Sequence, residues 1–368
     1  VIDGDENNTT RQRLVALRGQ ARTGNWLFEI MLSQNASRSR FRTDGKEVSR
    51  LRGELNKAEW TASREFTGNL FSHSLALGMQ YERRKFRNFS ALFAGANHRA
   101  RDRQRSQFVE YLLRAEKRSI SVSARHDNNQ HFANLTTWRV TGTQAITANT
   151  RAHASWGEGS ANPTFFELFG FIPDSFIGNP DLRPETSEGW DLGVAAYFCD
   201  GTCRGDLTYF RSTLNDEVTT TFVPPTFRTR AVNIDGSSER VGWELTLGAD
   251  IGRSVTVDAH WTWLDSHDAA GGVEVRRPRN SGGLNLHYAF AGDKGKASVS
   301  YVYHGDMQDN EFILATPEVR ANIKGVSLVN LGISYEASTH TTAFVRAQNV
   351  LDKEYQQVLE FLLHLLLL

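Results

Sequence analysis

The sequence predicts an all-β protein, a transmembrane antiparallel β-barrel. Three observations carry that expectation. Apolar residues recur at every second position along many segments. The connections between those segments alternate between short and long. No run of 18 apolar residues is present to form a spanning helix.

The alternation is clearest from Arg240 to Asp250. Val241, Trp243, Leu245, Leu247 and Ala249 fall on one face; Arg240, Gly242, Glu244, Thr246, Gly248 and Asp250 fall on the other. The next segment sets Val255, Val257, Ala259, Trp261 and Trp263 against Ser254, Thr256, Asp258, His260 and Thr262. The same rule places Leu284, Leu286, Tyr288 and Phe290 together, then Val329, Leu331, Ile333 and Tyr335, and upstream Leu75, Leu77, Met79 and Tyr81. Strands of about ten residues are long enough to cross a bilayer at a tilt. A sandwich would bury one face of each sheet in a shared core, whereas here one face suits hydrocarbon and the other suits water. Aromatic residues near the segment ends, such as Trp261, Tyr288 and Tyr303, fit an interfacial girdle, with ordinary cross-strand packing as the alternative for any one pair.

Short connections fall at 199–204, 249–253, 291–295 and 337–340, and long ones at 158–186, 214–237, 265–281 and 304–325. Membrane barrels show this asymmetry, with tight turns at one end and long loops at the other. The pattern gives about 17 or 18 strands in residues 1–358, followed by an apolar tail at 359–368 that lacks alternation. In the first hundred residues the pattern is weakest, and the basic run Arg99-Ala100-Arg101-Asp102-Arg103-Gln104-Arg105 reads as a solvated loop.

Composition narrows the function classes. Hydrophobic residues are 39%, low for a large dry core. Lys plus Arg equals Asp plus Glu at 42 each, so no global charge points to nucleic acid. No GxSxG, HExxH or phosphate-loop motif occurs, so the chain reads as no enzyme and as needing no cofactor. Cys199 and Cys203 flank an Asp-Gly turn; a disulfide and two free thiols both fit that spacing.

Two local runs carry a family resemblance. Trp156-Gly157-Glu158-Gly159-Ser160-Ala161-Asn162-Pro163-Thr164-Phe165-Phe166-Glu167-Leu168 is followed by Gly178-Asn179-Pro180-Asp181-Leu182-Arg183-Pro184-Glu185 and a strand entered at Trp190. Near the C-terminus stands Asn349-Val350-Leu351-Asp352-Lys353-Glu354-Tyr355. Both runs, with the segment His73–Tyr81, resemble the barrel signatures of TonB-dependent outer-membrane receptors. The resemblance implies a 22-stranded family barrel, of which this chain holds an incomplete portion without the plug domain or the segment that engages TonB. It implies a monomer in the outer membrane of a Gram-negative bacterium, surrounded by outer-membrane lipid. Its partners are the TonB complex, reached through a plug, and a small metal chelate or vitamin. The implied cargo is a ferric siderophore or a cobalamin-type ligand, imported with energy from the inner membrane. A passive porin-like barrel and an all-β hydrolase are the alternatives.

Candidate ligand contacts are Phe165, Phe166, Glu167, Phe169, Phe171 and Phe176, because clustered aromatics on a polar loop suggest a ligand surface. The competing reading is that they pack beneath the loop or dip into the membrane interface. Arg240, Glu244, Asp258 and His260 lie on the wet face and suit either contact with substrate or plug, or a salt-bridge lattice. Asp265 and Asp268 offer oxygen ligands for calcium, although such loop carboxylates are more often simply solvated. The Pro180 and Pro184 run reads as a rigid connector, since proline fixes φ and donates no hydrogen bond.

Overall fold

A computed structural model describes residues 5–170, 175–224, 228–310, 320–359 and 361–363. In chain order its strands begin with β1 (Glu6–Thr23), β2 (Trp26–Thr43), β3 (Lys46–Thr67), β4 (Ser72–Ser90), β5 (His98–Arg114) and β6 (Arg118–Asn129). Next come β7 (Leu135–Ala145), β8 (Thr150–Ala161), the short helix α1 (Phe165–Phe169), β9 (Phe176–Ile177), β10 (Glu185–Phe198) and β11 (Cys203–Asn215). There follow β12 (Val218–Val223), β13 (Arg228–Asn233), β14 (Ser237–Ile251), β15 (Val255–His267), β16 (Asn280–Phe290) and β17 (Gly295–His304). The chain continues through β18 (Met307–Asn310), β19 (Arg320–Ile323), β20 (Val326–Ser338), β21 (Thr341–Ala347), β22 (Tyr355–Val358) and β23 (Phe361–Leu363).

Sixteen strands form one sheet in the order β1 to β8, β10, β11, β14 to β17, β20 and β21, so each pairs with its successor in that sheet. The rest form small sheets: β12-β13-β9, β18-β19 and β22-β23. The main sheet is one or two strands shorter than the 17 or 18 counted from sequence. The difference lies in the long connections, where short strands pair locally instead of joining the main sheet. Those connections are therefore built rather than loose: β12-β13 fills 214–237, and β18-β19 lies within 304–325. All four short connections remain tight turns.

The chain divides into two compact units. One comprises residues 1–142, 156–188 and 214–237; the other comprises 143–155, 189–213 and 238–368. In the second unit the register confirms the alternation. Leu247 lies opposite Ala259, which faces Leu284, then Tyr301, then Val329. Two residues along, Val257, Leu286, Val299 and Leu331 form the next apolar row. The intervening polar row is Gly248, Asp258, Asn285, Ser300 and Asn330. In the first unit, Leu17, Leu32, Ala58 and Tyr81 are likewise mutual neighbours across β1–β4.

Burial is inverted relative to a water-soluble protein. Trp243 is 45% exposed and Leu284 42%, with Leu247 and Leu331 alike, whereas Asp309 and Ser238 are the largest fully buried side chains among the described residues. Contiguous apolar rows of this extent facing outward require an apolar solvent. The strand ladder satisfies the backbone groups that hydrocarbon cannot. Aromatic pairs stand near the ends of these rows: Trp261 stacks on Tyr303 at 5.5 Å, and Phe290 on Tyr335 at 6.5 Å. No helix among the described residues is long and apolar enough to span a membrane, which says nothing of strands.

The basic run at 99–105 corrects the sequence expectation. It lies inside β5 rather than in a loop. The intervening residues explain why: Ala100, Asp102 and Ser106 are buried on one face, so the arginines occupy the other. Charge had concealed a period-two pattern that was present throughout.

These faces make a prediction. Leu247→Arg should destabilise the protein in phosphatidylcholine vesicles by roughly 2–4 kcal/mol, while Thr246→Arg on the wet face should cost much less. Denaturant titration followed by Trp fluorescence measures both.

Candidate functional site

The long connections form two well-made clusters, one in each unit. In the first unit, α1 starts with a complete capping box. Thr164 Oγ1 accepts the Glu167 N–H at 3.3 Å, and the Thr164 N–H donates to the Glu167 carboxylate at 2.6 Å. Glu167 is thereby committed to helix nucleation. Gly170 has φ +55°, and a Cβ there would lie 2.6 Å from the Gly178 nitrogen, so only glycine permits this close backbone approach.

The aromatic residues divide by burial. Phe176 is buried and joins Leu168, Leu182 and Ala231 in a small core, against which Phe169 and Phe132 pack. Phe165 lies 5.9 Å from Phe86 of β4, and Phe169 stacks on His98 of β5 at 4.4 Å. Phe166 stacks on Phe176 at 4.3 Å, yet remains 38% exposed. Phe171 lies outside the described residues. The loop thus has its own hydrophobic core, and among the described phenylalanines of the predicted set Phe166 leaves most surface open.

The Asn-Pro-Asp-Leu-Arg-Pro-Glu run ties this loop to the β12-β13 hairpin. Asn179 Nδ2 donates to the Ala231 carbonyl at 2.9 Å. Asn233 accepts the Arg183 N–H at 2.9 Å and donates to the carbonyls of Arg183 at 3.0 Å and Asp216 at 2.7 Å. The Glu185 carboxylate accepts the Val218 N–H at 2.7 Å. The Arg183 guanidinium donates to Asp216, and that hydrogen bond raises its pKa above the ordinary value. The rigid-connector reading describes these contacts, with Leu182 packing inward and its polar neighbours binding backbone.

In the second unit, ion pairs link the connections after β15 and β17. Arg240 binds the buried Glu274 through two hydrogen bonds of 2.8 Å. Arg276 binds Asp309 at 2.9 Å, and Asp309 also accepts the Leu359 N–H at 2.9 Å. Burial works against ionisation of Asp309, but the hydrogen bonds from Leu359, Arg276 and Asn310 prevail and hold its pKa below the usual carboxylate range. Sequence reading missed Glu274 and Asp309, because an acid in a loop carries no signal of the partner that will bury it.

The four wet-face candidates share one face by register: Arg240 faces Ser266, Glu244 faces Thr262, His260 faces Thr246 and Asp258 faces Gly248. They do not form one cluster. Arg240 turns to Glu274, Asp258 to Arg204, and the His260 ring lies against Gly283. Asp268 accepts the N–H groups of Ala270 at 3.0 Å and Gly272 at 2.9 Å, and binds Arg320 at 2.9 Å. Asp265 lies opposite Val241, one position from the Arg240–Ser266 pair and so on the other face. Among the described residues no group of three or more His, Cys, Asp and Glu could hold a metal ion. Cys199 and Cys203 are joined by a disulfide with Cα atoms 5.4 Å apart, closing the β10–β11 turn.

The model of the TonB dependent receptor-like β-barrel matches residues 3–350. The chain belongs to the TonB-dependent receptor family. It is 25% identical over 342 residues to a vitamin B12 transporter, BtuB, of Photobacterium profundum, covering 89% of this chain and 51% of that protein. Its fold matches that of the siderophore receptor PirA from Acinetobacter baumannii with a TM-score of 0.80 at 15% identity, over 94% of this chain and 59% of that one. A ferric enterobactin receptor from Pseudomonas aeruginosa, solved with enterobactin, gives 0.79 at 14% identity, over 94% and 58%. The chain thus spans about half the length of the curated relative it matches. Membership of this barrel family gives the outward apolar rows their solvent, the lipid of a membrane.

The loop clusters can each be tested. Leu168→Ala removes the centre of the small core and should destabilise the loop by about 2–5 kcal/mol. Limited proteolysis should then cut between residues 162 and 184 while the strands stay protected. Asp309 stabilises its cluster above the unfolded carboxylate pKa of about 3.9, and that stability is lost as pH falls through its depressed folded value. Protection of β18-β19 amides against hydrogen exchange, corrected for the intrinsic rate at each pH, should therefore stay high at neutral pH and drop only in strong acid; in Asp309→Asn it should be lower at neutral pH and lose that dependence.

Proposed function

We propose that this chain is the barrel portion of an outer-membrane receptor that binds a scarce nutrient on its extracellular side and imports it with energy supplied by TonB through a plug domain. The observation that carries the reading is the match of one barrel family to residues 3–350, on strands whose outward face is apolar. The long, internally packed connections supply an extracellular surface. The barrel's share of the ligand site is the exposed edge of Phe166 together with the polar groups around the β12-β13 hairpin.

The cargo is a metal-centred organic ligand of the cobalamin or ferric siderophore class. The vitamin B12 transporter relative supports the first, through sequence similarity over most of this chain. The siderophore receptors resemble it in fold at 15% identity or less, and that resemblance supports the architecture rather than a ligand. Ligand occupancy then shifts a conformational population that TonB can act on.

Uptake decides between these. Full-length receptor expressed in a Gram-negative strain lacking its own cobalamin and siderophore receptors should accumulate labelled cyanocobalamin or a labelled ferric siderophore, and should cease to do so when TonB is deleted. Phe166→Ala should weaken binding of that cargo by roughly five- to tenfold, as expected for an exposed aromatic contact. TonB-independent entry, with ion conductance in planar bilayers, would establish a passive pore instead.

A further inference from the structure

The wet face of the second unit carries an arrangement that the import reading does not use. Beside the tight turns, β15, β16, β17, β20 and β21 enclose a half-open hollow of about 320 Å³. Arg253, His287, Lys296 and Arg346 line it, and no carboxylate does. Register sets the face. His287 lies opposite Ser298, Ser298 opposite Gly332, and Gly332 opposite Arg346. The next wet row toward the turns is Lys296, Ser334 and Phe344. Between these two rows runs the apolar, outward row of Tyr288, Ala297, Ile333 and Val345, so the lining residues share the side of Asn285 and Ser300.

Three features distinguish this hollow from the rest of the wet face. The first is uncompensated charge. Arg253, Lys296 and Arg346 make no ion pair within the described residues. The acids on the neighbouring wet positions lie outside the hollow: Arg204 holds Asp250 at 3.7 Å and Asp258 by a hydrogen bond, and Glu336 faces Thr342 nearer the turn. The second feature is the floor. A Cβ on Gly332 would stand 2.7 Å from Ser298 Oγ, so glycine keeps the space beside Arg346 open. The third is Phe344, which is 69% exposed on the side that is otherwise polar, with the Arg346 guanidinium 5.5 Å from its ring centre.

We propose that this hollow is a second binding site, for a small organic polyanion that joins carboxylate or phosphate oxygens to a flat apolar portion. Lys296 and Arg346 supply charge-assisted donors, the Ser298 and Ser334 hydroxyls add neutral ones, and the Phe344 ring receives the flat portion. The volume falls at the small end of ligand pockets and suits a molecule rather than a folded partner. Short turns mark the periplasmic end of a membrane barrel, so the site lies at the opposite end of the strands from the long connections. On the import reading, on which this placement rests, it holds anionic cargo at the exit.

The test titrates full-length receptor in neutral detergent with trimesate (an aromatic tricarboxylate), citrate and benzamidinium, by isothermal titration calorimetry. Trimesate should bind most tightly, citrate more weakly and benzamidinium not at all. The double variant Lys296→Gln, Arg346→Gln should weaken both anions by roughly tenfold to a hundredfold. Phe344→Ser should weaken trimesate by roughly threefold to tenfold and leave citrate unchanged. Lys324→Gln, between β19 and β20, should change neither, and heat-modified electrophoretic mobility should show each variant folded. If the double variant does not fold, Arg346→Gln alone decides, with an expected loss of about tenfold. Binding of benzamidinium as tight as trimesate, no loss in the Lys296 and Arg346 variants, or an equal loss in Lys324→Gln would overturn the proposal. So would the absence of anion binding, the result expected if an acidic peptide segment of the receptor covers this face. Calorimetry reads binding without transport, so a failure here leaves the uptake result standing, and TonB-independent entry would overturn the import reading while leaving this binding intact.

Discussion

The structure depends on one constraint: every backbone N–H and C=O that meets hydrocarbon must find its partner within the protein. An antiparallel meander meets this by pairing each strand with the next. Once the ladder is fixed, side chains alternate, and a single choice of face decides which residues meet lipid. The rows through Leu247, Ala259, Leu284, Tyr301 and Val329 show that choice held across five strands without a slip. A one-residue register error would turn Asp258 and Asn285 outward together, so the pattern is cooperative rather than a sum of single preferences.

The same constraint explains where polar chemistry gathers. Buried polar residues lie on the inner face of main-sheet strands, at Asp102, Ser106 and Asp127, and where strands leave that sheet, at Ser238, Ser266, Glu274 and Asp309, and Glu274 and Asp309 meet arginines at close range. Among the described residues, Leu168, Phe176, Leu182 and Ala231 form a small buried apolar cluster. Rigidity in the long connections thus comes from ion pairs, capping and backbone clamps more than from a large hydrophobic interior. A receptor loop built this way can hold a defined surface while resting on strands that have little dry interior of their own.

Much of this was legible in the sequence. Period two at 240–250, 254–263 and 284–290 located strands within a few residues, and the four tight turns fell where expected. The family runs around Asn179 and Asn349 pointed to the same architecture as the family match. Three things were hidden. The β5 strand was masked because arginine replaces aliphatic residues on its outward face above the apolar band. The short strands in the long connections were masked because hairpins of four to six residues carry too few positions to show a period. The aromatic cluster was visible, but its division into buried Phe176 and open Phe166 depends on a fold-back through Gly170 and Gly178 that spacing alone does not reveal.

The central claim is that alternate side chains along each strand face hydrocarbon. Spin labels placed singly at each position from Arg240 to Asp250, in full-length receptor reconstituted into phospholipid vesicles, test it most directly through collision with oxygen, which partitions into lipid, and with a water-soluble nickel chelate. The account predicts oxygen accessibility peaking at 241, 243, 245, 247 and 249 and nickel accessibility at the positions between. A flat profile, or low accessibility to both probes at the apolar positions, would place those side chains in a dry protein interior and contradict it.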